Sequence, residues 1–144
     1  MNKALEVDPT HAVTHEFLGW TYEAMGKYED AVKCYLRAVE LSGRFKDAEA
    51  DLASCYALMG KRDEARKILE NMLEYSKGNF VSPVDIALIF AGLGEKDQVF
   101  AWLEKAFRER DVVLLENLKP DHRFDPVRSD SRYAELLRKI GLEK

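Results

Sequence analysis

A chain of 144 residues with a formal net charge of −4, both signs interspersed, and 47% apolar residues can bury the core of one domain and lacks the basic stripe that a nucleic-acid binder turns toward phosphates. No apolar run approaches the roughly 18 residues of a membrane span, and the first stretch, MNKALEVDPTHAV, has no signal-peptide core. Cys34 and Cys55 fall inside helix-like runs and match no metal-ligand pair spacing, so a soluble protein of a reducing, cytoplasmic compartment is expected.

Prolines at positions 9, 83, 120 and 126 leave Thr10 to Ser82 and Val84 to Lys119 free to be helical. Apolar residues recur at three- and four-residue intervals and rarely alternate, so the class is all-α. In chain order, KALEVDPTH reads as the end of a helix stopped at Pro9. A helix through Leu18 and Tyr22 then runs into EAMGKYEDA, Glu23 to Ala31. A glycine inside a helix weakens it by about 1 kcal/mol relative to alanine, so Gly26 is expected to end one helix and permit the turn into the next.

The same phrase returns as ALMGKRDEA from Ala57 and as AGLGEKDQV from Ala91. The step is 34 residues in every column: Leu18, Leu52 and Ile86; Gly19, Ala53 and Ala87; Tyr22, Tyr56 and Phe90; Gly26, Gly60 and Gly94; Ala38, Met72 and Ala106. Beyond the third copy the pattern stops. Pro120 and Pro126 bracket a loop, Ser129 or Asp130 can cap a last helix, and Tyr133, Leu136, Leu137 and Ile140 form its apolar stripe. Arg138 and Lys139 stand in its final turn, where positive charge complements the helix dipole, and Gly141 can end it.

A 34-residue helix-turn-helix unit of this kind resembles the tetratricopeptide repeat. The first unit carries Leu18-Gly19, Tyr22, Ala31, Tyr35 and Ala38 at the family's positions, with His15 in place of its tryptophan and Gly43 in place of its proline. The second matches through Leu52-Ala53, Tyr56, Gly60, Ala65 and Leu69, and the third through Ile86-Ala87, Phe90, Gly94, Leu103 and Ala106, with Val99 for the small alanine. The resemblance implies a right-handed α-solenoid: a truncated repeat at 1–11, units at 12–45, 46–79 and 80–113, and a loop with a capping helix at 114–144. Ala4 and Pro9 fall in register with the end of a preceding repeat, and RFDPVRSDSRY resembles the tail after the last repeat of many prokaryotic members. Both suggest the C-terminal piece of a longer chain.

Candidate chemistry is sparse. THEFLG opens like the zinc-protease motif H-E-x-x-H, but Gly19 stands where the second histidine is needed. His11 and His15 are spaced i, i+4 near Asp8, yet a metal needs a third ligand; the plainer reading puts His15 in the tryptophan slot and His11 in the inter-repeat turn. His122 stands apart in the tail. AGLGEKD lacks the Gly-Lys-Ser/Thr ending and the preceding strand of a phosphate loop. Neither cysteine has a placed histidine partner, so no catalytic, cofactor or metal site is expected.

What remains is surface. The family's first helices line a concave groove that receives a peptide. Carried over by alignment, that groove would be lined by Val13, Glu16, Trp20, Glu23 and Ala24; by Asp47, Ala50, Asp51, Ser54, Ala57 and Leu58; and by Val81, Val84, Asp85, Leu88 and Ala91. Glu16, Trp20 and Glu23 share one helical face. An aromatic between carboxylates favours a protein or peptide partner with basic or apolar side chains and disfavours the acidic tails gripped by co-chaperone members of the family. The competing readings are a solvated face without ligand, or a structural module that pairs with a copy of itself through the N-terminal edge or packs on an upstream domain.

Overall fold

The computed structural model describes residues 11–42, 47–110 and 122–141. Residues 1–10 of the expected truncated repeat, with its N-terminal edge, and Gly43 lie outside these residues, while His11, expected in the inter-repeat turn, opens α1. Among the described residues there is no strand, only seven α-helices and one 3-10 turn: α1 His11–Ala24, α2 Tyr28–Ser42, α3 Asp47–Leu58, α4 Arg62–Tyr75, α5 Pro83–Leu93, α6 Lys96–Arg108, the turn His122–Val127, and α7 Ser131–Ile140. The chain is an all-α helical-repeat solenoid.

Each odd-numbered helix of the first six ends in the same way. Gly26, Gly60 and Gly94 have φ of 77°, 82° and 77°, a region that costs a residue with a Cβ roughly 1–2 kcal/mol. In all three the glycine N–H returns to the carbonyl three residues back, and the next N–H to the carbonyl five back. Gly26 donates to Glu23 (3.0 Å) and Lys27 to Tyr22 (2.8 Å), and the pairs Gly60–Ala57 with Lys61–Tyr56 and Gly94–Ala91 with Glu95–Phe90 repeat this. These bonds satisfy carbonyls the helix leaves open and reverse the chain within three residues.

The columns of small residues explain how closely the helices approach. A Cβ added at Gly19 would lie 2.4 Å from Cε1 of Tyr35, so α1 and α2 meet with the tyrosine ring against bare backbone. In the later copies the glycine column holds Ala53 and Ala87 and the tyrosine column holds Leu69 and Leu103, all of them buried. A smaller partner leaves room for a methyl. Between α3 and α5 the close approach is at Gly92, where a Cβ would meet that of Ala57 at 2.9 Å. Among the described residues successive helices touch along the stack, and α3 also packs directly on α5.

Helix α5 is buried on nearly every side, from Pro83 through Ala91 and again at Leu93, as a helix apolar all round must be. Ser82 caps it by accepting from the Val84 N–H at 3.2 Å, with Pro83 in the first turn. The tail provides one of its covers. Where prolines 120 and 126 suggested a loop, residues 122–127 form a 3-10 turn with Pro126 inside it. The turn packs on α5 and sends Phe124 and Val127 into the main core. Asp130, rather than Ser129, caps α7 by accepting from the Arg132 N–H at 2.9 Å, and Gly141 ends that helix at φ 79°. Helix α7 lies on α6 through Tyr133, Leu136 and Leu137, with Lys139 bonded to Glu104 and Arg132 to Asp97, each at 2.9 Å.

Two glycine substitutions separate the two roles of this residue. Gly19→Ala collides with a ring and should lose about 1–3 kcal/mol of unfolding free energy by overpacking; Gly60→Ala meets open space and should lose roughly 1–2 kcal/mol through its backbone angle alone. Asparagine, which tolerates the left-handed region, should recover part of the loss at Gly60 and none at Gly19. Urea unfolding followed by circular dichroism reads all four variants.

Candidate functional site

The inner helices α1, α3 and α5 do not pack equally: α3 lies along α5, whereas α1 stands off from α3. The gap is bridged by side chains. Trp20 of α1 donates its indole N–H to Oδ2 of Asp51 on α3 at 3.0 Å. Arg123 of the 3-10 turn donates from Nη1 to the other oxygen, Oδ1, at 2.5 Å, and its guanidinium carbon lies 6.0 Å from the centre of the Trp20 ring. Arg123 and Asp51 retain only 8% and 4% of their side-chain exposure. A charge buried to that degree persists because it is paired and hydrogen-bonded. Phe17 stands edge-on to Trp20, with ring centres 5.1 Å apart.

One turn beyond Trp20, Glu23 faces inward. Its Oε1 accepts from the hydroxyl of Tyr35 at 2.9 Å in a buried contact. Burial, and then the charges of Glu23 and Asp51, push the Tyr35 phenol well above its ordinary pKa. The same causes, opposed by Arg123, raise the Cys55 thiol to about 12. Cys55 is buried against carboxylates that disfavour its thiolate.

Beside this network is a cleft of about 430 Å³. Glu23 and Ala24 of α1 form one wall, Ser54 and Leu58 of α3 another, and Ala91 and Gly92 of α5 the far side; Arg123, Asp125 and Pro126 close it from the tail. It therefore combines an acidic side, a basic side and apolar patches.

The residues expected to line a groove divide sharply. Val13, Trp20 and Leu58 are exposed, Glu16 is half-buried, and the side chain of Asp47 lies outside the described residues. Glu23, Ala50, Asp51, Ser54, Val84, Asp85 and Leu88 are buried. Glu23, Ser54 and Leu58 line the cleft, but the carboxylates of Glu23 and Asp51 are taken up within the protein. Glu23 is turned to Tyr35, Asp51 is engaged by Trp20 and Arg123, and Val84 and Leu88 share the core with Phe124 and Val127. Arg123 itself, the closing residue, was not anticipated, although Asp51 and Asp85 offered a signal. They are carboxylates 34 residues apart on inner helices, Asp85 being the one charged residue of α5, and a buried carboxylate stays ionised when it is paired or hydrogen-bonded. His15 is half-buried in the slot the family fills with tryptophan. Among the described residues no cluster of three or more His, Cys, Asp or Glu is placed to hold a metal, and no helix is long and apolar enough to cross a membrane.

Tetratricopeptide-repeat family models match two stretches of the chain, residues 12–45 and 51–76. The first spans α1 and α2, and the second most of α3 with all of α4. No curated protein and no solved structure matches the chain.

Removing either member of the buried pair strands the other charge. Asp51→Ala and Arg123→Ala should each cost about 3–5 kcal/mol, whereas Asp51→Leu combined with Arg123→Met should cost far less than the sum of its single changes. Thermal and urea unfolding test this, and strict additivity would mean the pair is not coupled. In the native protein at pH 8 Cys55 should resist iodoacetamide and react once urea unfolds the chain, a difference that peptide mass spectrometry resolves.

Proposed function

We propose that this chain, a member of the tetratricopeptide-repeat family, is a non-catalytic interaction module that holds a peptide or protein segment against the inner face formed by α1, α3 and α5. Its working units in this reading are residues 12–45, 46–79 and 80–113. Repeats of this family generally mediate protein–protein interaction. A stack of helix hairpins offers a preformed face, so the receptor loses little entropy when a segment docks.

The observation that carries the proposal is the guanidinium of Arg123 held by Asp51 and Trp20. The inner face already accommodates a basic side chain. The exposed part of that face is apolar: Val13, Phe17 and Trp20 follow one another at spacings of four and three on α1, and Leu58 lies at the rim of the cleft. Phe17 is 56% and Trp20 39% exposed. Buried carboxylates behind an aromatic rim favour a partner with basic or apolar side chains and repel an acidic one.

A second reading is supported by a different surface. Leu18 and Met25 of α1 and Leu36 of α2 are also exposed, and exposed apolar side chains on the first hairpin favour pairing with a copy of the chain or with a preceding segment. Light scattering across a concentration range separates the two: a strict monomer at high concentration counts against self-pairing.

For the leading reading, peptides are selected from a display library on the whole chain. Trp20→Ala should then weaken the selected peptides about tenfold or more, as loss of an aromatic anchor does, and Leu58→Asp should weaken those with apolar residues while circular dichroism stays unchanged. Affinity indifferent to both substitutions would remove the inner face from the interaction.

A further inference from the structure

We propose that Trp20 and Asp51 form an arginine-recognition subsite, and that Arg123 of the chain's own C-terminal turn occupies it in cis, so that a partner segment bearing arginine competes with residues 122–127. This rests on the inner-face reading above and names both the side chain recognised there and the device that restrains its binding.

The geometry has the parts of a receptor for a guanidinium. The Trp20 indole N–H holds Oδ2 of Asp51 at 3.0 Å, leaving Oδ1 directed at Arg123. The indole ring supplies a second recognition element, an aromatic face near the guanidinium at 6.0 Å. A planar, weakly hydrated guanidinium suits a carboxylate beside an aromatic ring, whereas a compact, strongly hydrated ammonium loses more on entering and fits the ring less well. The subsite should therefore prefer arginine to lysine.

Its occupant comes from far along the chain, 72 residues beyond Asp51, and arrives on a turn that is docked by other means. Phe124 and Val127 place their side chains in the main core, an apolar anchorage beside the ion pair. An ion pair in such a place adds little net stability over apolar packing; here it also neutralises a recognition site. Asp125 and Pro126 are exposed and line the cleft together with Arg123. A competing segment thus has an approach alongside the turn, through a space its own apolar residues can fill. A tethered competitor acts at millimolar effective concentration, and the apparent affinity of an outside ligand falls by the fraction of sites left open.

The test uses the whole chain carrying Trp102→Phe, which leaves Trp20 as its one tryptophan, and follows the indole N–H resonance during titration. The probe is the capped tripeptide Leu-Arg-Leu, with Leu-Lys-Leu and Leu-Gln-Leu as controls. Arg123→Gln should bind the arginine probe about tenfold tighter than the protein with Arg123 in place, because the cis competitor is gone. The lysine probe should bind more weakly and the glutamine probe not at all, and adding Asp51→Asn should abolish binding. If Arg123→Gln fails to fold, Arg123→Lys retains the charge and should still gain about threefold for the arginine probe, since its competitor is poorer.

Equal binding of the arginine and glutamine probes, or no gain when Arg123 is replaced, would overturn the proposal. Library peptides that still depend on Trp20 would in that case leave the inner-face reading standing. If those peptides also ignore Trp20 and Leu58, that reading falls with it.

Discussion

Everything described here depends on a helix that must stop. At Gly26, Gly60 and Gly94 the backbone enters a left-handed conformation that side chains resist, and the N–H groups that follow close the open carbonyls behind it. The reversal lays each even-numbered helix on the odd one before it. Repetition at a constant interval then sets one hairpin beside the next, and the inner helices inherit a common face. Without these stops, Tyr35 could not reach Gly19 and Trp20 could not be presented to Asp51.

The stack is uneven, and its unevenness makes the site. Helices α3 and α5 come together over Gly92 and Ala57, but α1 carries Trp20 on its inner side and stays apart from α3. Bulk on one helix and smallness on the others therefore produce a closed seam and an open one. The open seam is filled by polar bridges: an indole, a carboxylate and a guanidinium whose hydrogen bonds satisfy one another. Neither Trp20 nor Arg123 would be intelligible from its own helix or turn.

Much of this could be read from the residues themselves. The glycine column, the helix hairpins, the apolar stripe of α7 and its stop at Gly141 all follow from local spacing and backbone preference, which a sequence displays directly. The helical form of residues 122–127 was hidden because Pro126 reads as a breaker, while Phe124 and Val127 draw the turn onto α5. The partner of Glu23 is hidden for a related reason. Its helical position aligns it with Glu16 and Trp20, but a buried tyrosine hydroxyl on α2 offers a stronger partner than water. Periodicity assigns a residue to a side of its helix; it does not say which neighbouring group will claim the side chain. The pairing of Asp51 with Arg123 bridges 72 residues, a span over which local pattern is silent.

Asp51 also explains why competition is a sounder picture for this face than opening. Withdrawing Arg123 into water would leave a desolvated carboxylate without its cation, at a cost of several kcal/mol. Replacing Arg123 by an arginine from a partner leaves the number of buried charges unchanged, so most of that cost cancels in the exchange. What then decides the outcome is the difference between two tethers: the turn holds its arginine through Phe124 and Val127 in the core, while a partner must hold its own through contacts with Val13, Phe17 and Leu58. The proposed competition therefore disfavours a lone arginine as a ligand and favours one flanked by apolar residues. On the proposed exchange a carboxylate-bearing segment is disfavoured, since it would add a third negative charge beside Glu23 and Asp51 and offer no cation in return.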